Sequence, residues 1–262
     1  MGKVRTAFLL FTKTSPSLAL SASDIKFIRS LQQKKFRKEH GLFVVEGVKP
    51  VQELLNSPLK VEAVYVTESL DFTDAVSISE KELNRISGLK TANQVLATAE
   101  IPLSKSVDWN KTIVLFLDGI NDPGNLGTII RTAKWFGVTD IICSSDCVDA
   151  YDRKVVQSTM GALFHVNVVY ASLPEMMAEA MENGFTTIGT NMESKSIYET
   201  EKPNKTALII GSESHGMRES VSSLCNMVCS IPNFESEQKV ESLNAGIATA
   251  IMLSELNRKT NN

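Results

Sequence analysis

LFLDGINDPGNLGTIIRTAKWFGV, residues 115–138, joins an apolar run to a turn-rich loop and then to a helix. Ile113 to Leu117 is rich in β-branched and large apolar residues, which predicts a buried strand. Gly119, Asp122, Pro123, Gly124 and Asn125 each favour turn geometry. From Leu126 an amphipathic helix is expected, with Ile129, Ile130, Ala133 and Phe136 on its apolar side and Gly137 as its stop. A strand feeding a glycine-containing loop and a helix is where an α/β fold holds a ligand. The same loop places Asn125 and Arg131 at the start of the helix, and arginine forks well onto a phosphate. An ordinary βα connection with a capping asparagine accounts for the segment equally well. Two nucleotide motifs are missing: Gly119 to Gly124 is followed by Asn125 rather than Lys, and no G-x-G-x-x-G occurs. A dinucleotide-dependent oxidoreductase therefore lacks its fingerprint.

Downstream, strand and helix patterns alternate. TDIICSS, HVNVVY, FTTIGTN (185–191), TALIIGSE (206–213) and MVCSIPN (227–233) read as strands. DRKVVQSTMGAL, LPEMMAEAMENG and the closing SLNAGIATAIMLSELNR from Ser242 read as helices. Such alternation implies a mainly parallel sheet covered on both faces. Upstream, a smaller α/β unit is expected over 21–103, with LSKSVDWNK as a polar linker ending at residue 111 and a second domain over 112–262. Ser23 or Asp24 suits a helix cap, and Ile25, Ile28 and Leu31 give that helix an apolar side. Lys26, Arg29, Lys34, Lys35, Arg37 and Lys38 put six basic residues between Lys26 and His40. Such a run is either a solvated face or a surface for a phosphate backbone.

Hydrophobic residues make up 43% of the 262 and charged residues 22%, as in a packed globular protein. A net charge of −3 argues against indiscriminate nucleic-acid binding and leaves room for a local basic face. The cysteines form two C-x-x-x-C pairs, Cys143/Cys147 and Cys225/Cys229. Both pairs adjoin strand-like runs rather than the tight knuckles of zinc sites, so buried thiols and a cytosolic setting are expected, with no metal. MGKVRTAFLLF carries an apolar run too short for a secretory signal, and residues 1–20 are expected to be a disordered extension. No segment has the length of a membrane span.

Three stretches repeat an apolar strand ending in small and polar residues: DGINDPGNLGTIIRTA, IIGSESHGM (209–217) and IPNFESEQKVESLNAGIATAI (231–251). In that order they resemble the three motifs of the SpoU branch of the SPOUT RNA methyltransferases, and MGALFHV (160–166) resembles the segment between the first two. KFIRSLQQKKFRKEHGLFVVEGVKPVQELL is similar to that family's small substrate-binding domain. The resemblance implies a C-terminal trefoil knot, a homodimer, and methyl transfer from S-adenosylmethionine to a 2′-hydroxyl of ribosomal or transfer RNA. A separate N-terminal domain points to ribosomal RNA. The other reading is a catalytically weak RNA-binding paralogue acting in ribosome assembly.

By the same resemblance Arg131 activates the hydroxyl and Asn125 orients the site, with Glu213, Ser242 and Asn244 near the reaction centre. Thr190, Asn191, Gly211, Gly216, Ile231 and Leu243 fall on the cofactor positions. The chain departs from the pattern with Gln157 in place of a common arginine and with Ser212-Glu213-Ser214 in the second motif. Its third motif has a longer link, NFESEQKVE, bringing Glu235, Glu237 and Glu241 near the site.

Overall fold

The computed structural model describes residues 19–67, 70, 72–234 and 242–258. The expected N-terminal extension lies outside the described residues except for Ala19 and Leu20, and the third-motif link does so from residue 235 to 241.

Residues 21–40 form two helices, α1 (Ala22–Ser30) and α2 (Lys34–His40). The cap of α1 is Ser21, one turn short of its reciprocal partner Asp24, rather than Ser23 or Asp24. β1 (Leu42–Glu46), α3 (Val48–Leu55), β2 (Val61–Val66), the short β3 (Val76–Ser77), α4 (Glu80–Ile86) and β4 (Val95–Glu100) follow. They build a four-stranded sheet in the order β1-β4-β2-β3.

β5 (Ile113–Asp118) and α5 (Pro123–Trp135) open the second sheet. Asp122 caps α5 by accepting from the Asn125 N–H at 2.8 Å, and Pro123 fits the first turn, where its missing N–H costs nothing. The helix thus starts three residues before Leu126, and Asn125 lies inside its first turn instead of capping it. Gly137 takes φ +76° just past the helix end, as a left-handed stop requires. Next come β6 (Asp140–Cys143), α6 (Arg153–Thr159), β7 (Asn167–Tyr170), α7 (Leu173–Glu182), β8 (Thr186–Ser196), β9 (Thr206–Gly211), α8 (Glu219–Ser222), β10 (Met227–Ser230) and α9 (Ala245–Asn257). The six strands run in the order β10-β8-β9-β5-β6-β7, with every neighbouring pair parallel.

One face of this sheet packs Leu115 and Leu117 against Leu126, Ile129 and Ile130 of α5 and Met252 and Leu253 of α9. The other packs Val114 and Phe116 against Leu173 and Met177 of α7 and Val221 of α8. Val107 and Trp109 close that second face, Trp109 lying edge-on to Phe185, so the segment expected to be a polar linker is tied to the sheet. All four cysteines are free thiols, and the two pairs lie toward opposite edges of the sheet. No helix among the described residues is long and apolar enough to cross a membrane.

The two sheets share one core. Phe43 of β1 packs on Tyr151 and Phe164, with ring centroids 4.9 and 6.2 Å apart. Arg37, expected on a nucleic-acid surface, is instead 2% exposed. Its guanidinium donates to the Leu31 and Gln32 carbonyls at 3.0 and 2.9 Å, and to Asp149 Oδ2 at 2.7 and 3.1 Å. Its charge is consumed in holding the α1–α2 turn to the loop before α6. Arg37→Ala leaves Asp149 without that partner and is expected to cost about 3–5 kcal/mol, read as a lower urea midpoint at unchanged slope.

Candidate active site

A cleft of about 1040 Å³ opens at the C-terminal ends of β8, β9 and β10. This is where parallel α/β sheets hold ligands. Thr190, Asn191, Gly211, Gly216, Ile231 and Leu243 all line it, as do Glu213 and Ser242. Ile210, Val228 and Met252 add apolar wall, while Ser212, Ser214 and Asn233 add polar groups. An apolar slot with a few convergent polar groups suits a ligand that combines an aromatic ring with a charged end.

The wall between strand and loop is built from touching backbone. Ser212 and Gly216 exchange both N–H···O bonds, at 3.1 and 2.8 Å, so residues 212–216 form a tight loop. A Cβ on Gly211 would fall 2.2 Å from the Gly216 carbonyl carbon and 2.3 Å from the Met217 nitrogen. Gly216 holds φ +65° with open space around it. Beyond the loop, Arg218 closes onto Asp118, which is 1% exposed at the end of β5. The Arg218 N–H donates to Asp118 Oδ2 at 2.7 Å, and its guanidinium grips Oδ1. That hydrogen-bonded carboxylate raises the guanidinium's pKa still further. Neither residue was singled out from the sequence. The only available signal was an acid at the end of an apolar strand, and its partner is a hundred positions away.

The catalytic candidates converge from three elements. Asn244 caps α9 through Gly246 and Ile247, and its Nδ2 donates to Asn125 Oδ1 at 2.6 Å. Glu213 Oε1 accepts from the Ala245 N–H at 2.9 Å, tying the loop after β9 to the same helix start. A Cβ on Gly246 would lie 2.7 Å from Thr128 Cγ2, so α5 and α9 touch closely there. Arg131 is not among the cleft-lining residues. It sits on the Thr128 side of α5, about 9 Å further along the axis than Asn125. Its side chain is exposed and has no hydrogen-bond or ion-pair partner among the described residues. Lys26, Arg29, Lys34, Lys35 and Lys38 are exposed on α1 and α2. No group of three or more His, Cys, Asp or Glu among the described residues is placed to hold a metal ion.

Parallel topology and a glycine-walled cleft at the strand ends, braced by an asparagine pair at two helix starts, define an α/β protein with a ligand site at the end of its sheet. Residues 112–254 match the SpoU rRNA methylase family and residues 22–97 the MRM3-like substrate binding domain; the chain belongs to the SpoU rRNA methylase family. It is 30% identical over 88% of its length to the 23S rRNA (guanosine(2553)-2′-O)-methyltransferase RlmP of Bacillus subtilis, covering 95% of that protein. A solved TrmH-family structure from Porphyromonas gingivalis superimposes with a TM-score of 0.81 at 33% identity, covering 90% of this chain and 98% of that one. An AdoMet-bound rRNA methyltransferase from Sinorhizobium meliloti also gives 0.81, at 26% identity, covering 91% and 97%.

The loop geometry predicts an order of sensitivity. Gly211→Ala has to separate two backbone segments and is expected to cost at least about 1–3 kcal/mol. Gly216→Ala meets no atom and costs only the left-handed backbone, about 1–2 kcal/mol. Thermal unfolding of both variants checks this, with Gly211→Ala the lower-melting.

Proposed function

We propose that the protein transfers a methyl group from S-adenosylmethionine to the 2′-hydroxyl of a ribose in ribosomal RNA, acting in the cytosol. The observation that carries this reading is the cleft lined by Thr190, Asn191, Gly211, Gly216, Ile231 and Leu243, drawn from the second and third family motifs and from the strand before them. The cleft fits the cofactor. Ile231, Val228, Leu243 and Met252 offer an apolar seat for adenine, and Gly211 and Gly216 expose main-chain groups for its polar edges. The knot that the resemblance implies belongs to this reading, since the loops after β9 and β10 and the start of α9 supply the cleft's walls.

S-adenosylmethionine supplies an electrophilic methyl group on a sulfonium, whose thioether leaves without metal assistance. The protein's task is then to hold the ribose hydroxyl in line and stabilise the charge that develops as its proton passes to a phosphate oxygen of the RNA or to water. Arg131 suits the second role, because its exposed guanidinium, without a partner among the described residues, is able to face a phosphate and a developing alkoxide. Asn125 and Asn244 brace each other beside the cleft, and Glu213 holds the α9 start in register; the latter two are positioning residues in this reading. Ser242 reaches the cleft from the same segment. The exposed cations of α1 and α2 serve the RNA backbone.

A homodimer is part of the proposal. Residues 245–253 of α9 are apolar on nearly every side, and Ile247 is 52% exposed. Trp135 ends the adjacent α5 at 84% exposed. Such a surface is what a symmetric partner copy covers.

Two measurements test the proposal. Titration calorimetry with S-adenosylmethionine is expected to give saturable binding near one per subunit, and labelled cofactor is expected to label ribosomal RNA. Arg131→Ala is expected to lower methyl transfer at least about a hundredfold while leaving the cofactor titration nearly unchanged. Transfer by that variant near the original rate would remove Arg131 from the mechanism. Cofactor-free RNA binding with no transfer would favour the assembly-factor reading.

A further inference from the structure

We propose that Phe27, Phe36 and His40 form a stacking platform for an unpaired RNA base on the outer surface of the α1–α2 hairpin. The proposal rests on the reading of this protein as one that acts on RNA, and it names the feature of that RNA which the N-terminal domain receives.

The three rings form one cluster. Phe27 and His40 meet edge to face with centroids 5.0 Å apart and planes at 68°, and Phe36 lies nearly parallel to His40, 8° apart at 6.3 Å. Hydrophobic packing of the hairpin does not account for them. The buried side of α1 is already filled by Ile25, Ile28 and Leu31, which join Val44, Leu83, Ile86 and Leu96 in a closed core that contains none of the three rings. Phe27 remains 38% exposed and His40 is exposed. Two exposed rings beside a finished core are surplus to folding.

Their surroundings identify the ligand. Lys26, Arg29, Lys34, Lys35 and Lys38 are exposed on the same two helices, against Asp24 and Glu39. Asp24 is already spent on the Ser21 cap. In a chain with net charge −3, this is a concentrated cationic patch. Lys35 Nζ stands 5.7 Å from the Phe36 centroid, so cation and ring are interleaved. Cations track a phosphate backbone, and aromatic faces accept bases regardless of sequence. Bases in an A-form duplex already stack on one another, so the platform selects a loop, bulge or end. The buried Arg37 fixes this surface to the methyltransferase sheet through Asp149.

The test uses the full chain and a short fluorescein-labelled single-stranded RNA of mixed sequence, with the duplex of the same sequence as comparison. The double variant Phe27→Ala/His40→Ala is expected to weaken single-strand binding roughly tenfold or more at an unchanged salt slope, with little effect on the duplex. Lys34→Glu/Lys35→Glu is expected to weaken both and to lower the salt slope. Phe27→Trp is expected to keep affinity and to show indole quenching with the single strand but not with the duplex. If the double alanine variant binds as the parent does while the lysine variant loses affinity, the platform is wrong and the RNA-binding surface stands. If neither variant changes binding, the RNA contacts lie elsewhere and both readings of this surface fall. Loss of duplex and single-strand binding in equal measure by the alanine variant would also overturn the platform.

Discussion

Asp118 is a carboxylate at the end of the strand that stands near the middle of the parallel sheet, and it is almost fully excluded from water. A charge so placed is costly unless a partner satisfies it. Arg218 does so with both its backbone N–H and its guanidinium, and the pairing fixes where the chain goes after β9. The segment from Gly211 to Arg218 has to fold back over the strand ends to bring the guanidinium home. That return presses Gly216 onto Gly211, where only hydrogen leaves enough room, and lays the Met217 side chain against Gly189. The cleft is the space this detour leaves open. An ion pair on one side of the sheet thereby sets the shape of a ligand site on the other side of the loop.

The candidate catalytic residues Asn125, Asn244 and Glu213 meet at helix starts rather than along helix bodies. Asn125 lies in the first turn of α5 and Asn244 caps α9. Glu213 spends one oxygen on the first N–H of α9. Asn244 and Glu213 each satisfy backbone N–H groups that α9 itself leaves unpaired, so capping and site construction use the same atoms there. Asn244 would be read as a simple cap if seen alone. Its hydrogen bond to Asn125 turns that cap into a brace between α5 and α9. Arg131 remains the cation outside this network.

The parallel sheet and most of its elements were legible because strands buried on both faces read as continuous apolar runs and amphipathic helices show their period. Val48–Leu55 and the strands from β5 to β10 follow directly from such patterns. β4 carries no such pattern. It lies between β1 and β2 with Val95 to Ala99 all buried, and its mix of alanine and threonine offers no alternation to read. The basic run from Lys26 to His40 is divided between two helices, and Arg37 captures the Leu31 and Gln32 carbonyls that a continuous helix would use. The cleft residues were legible only through resemblance to family motifs. The Arg37–Asp149 and Asp118–Arg218 pairs, 112 and 100 positions apart, leave no local trace in the chain.

The shared core between the two sheets gives the protein a fixed internal span. Phe43 seated on Tyr151 and Phe164, Arg153 lying across Gly88, and Arg37 clasped by Asp149 leave no hinge between the hairpin and the loop that follows β6. That loop in turn hands its Val148 N–H to the Ile120 carbonyl, immediately before α5. The distance from the hairpin to the start of α5 is therefore held like the jaw opening of a caliper. Under the proposed reading, that opening limits which nucleotide reaches the cleft when RNA is held at the hairpin.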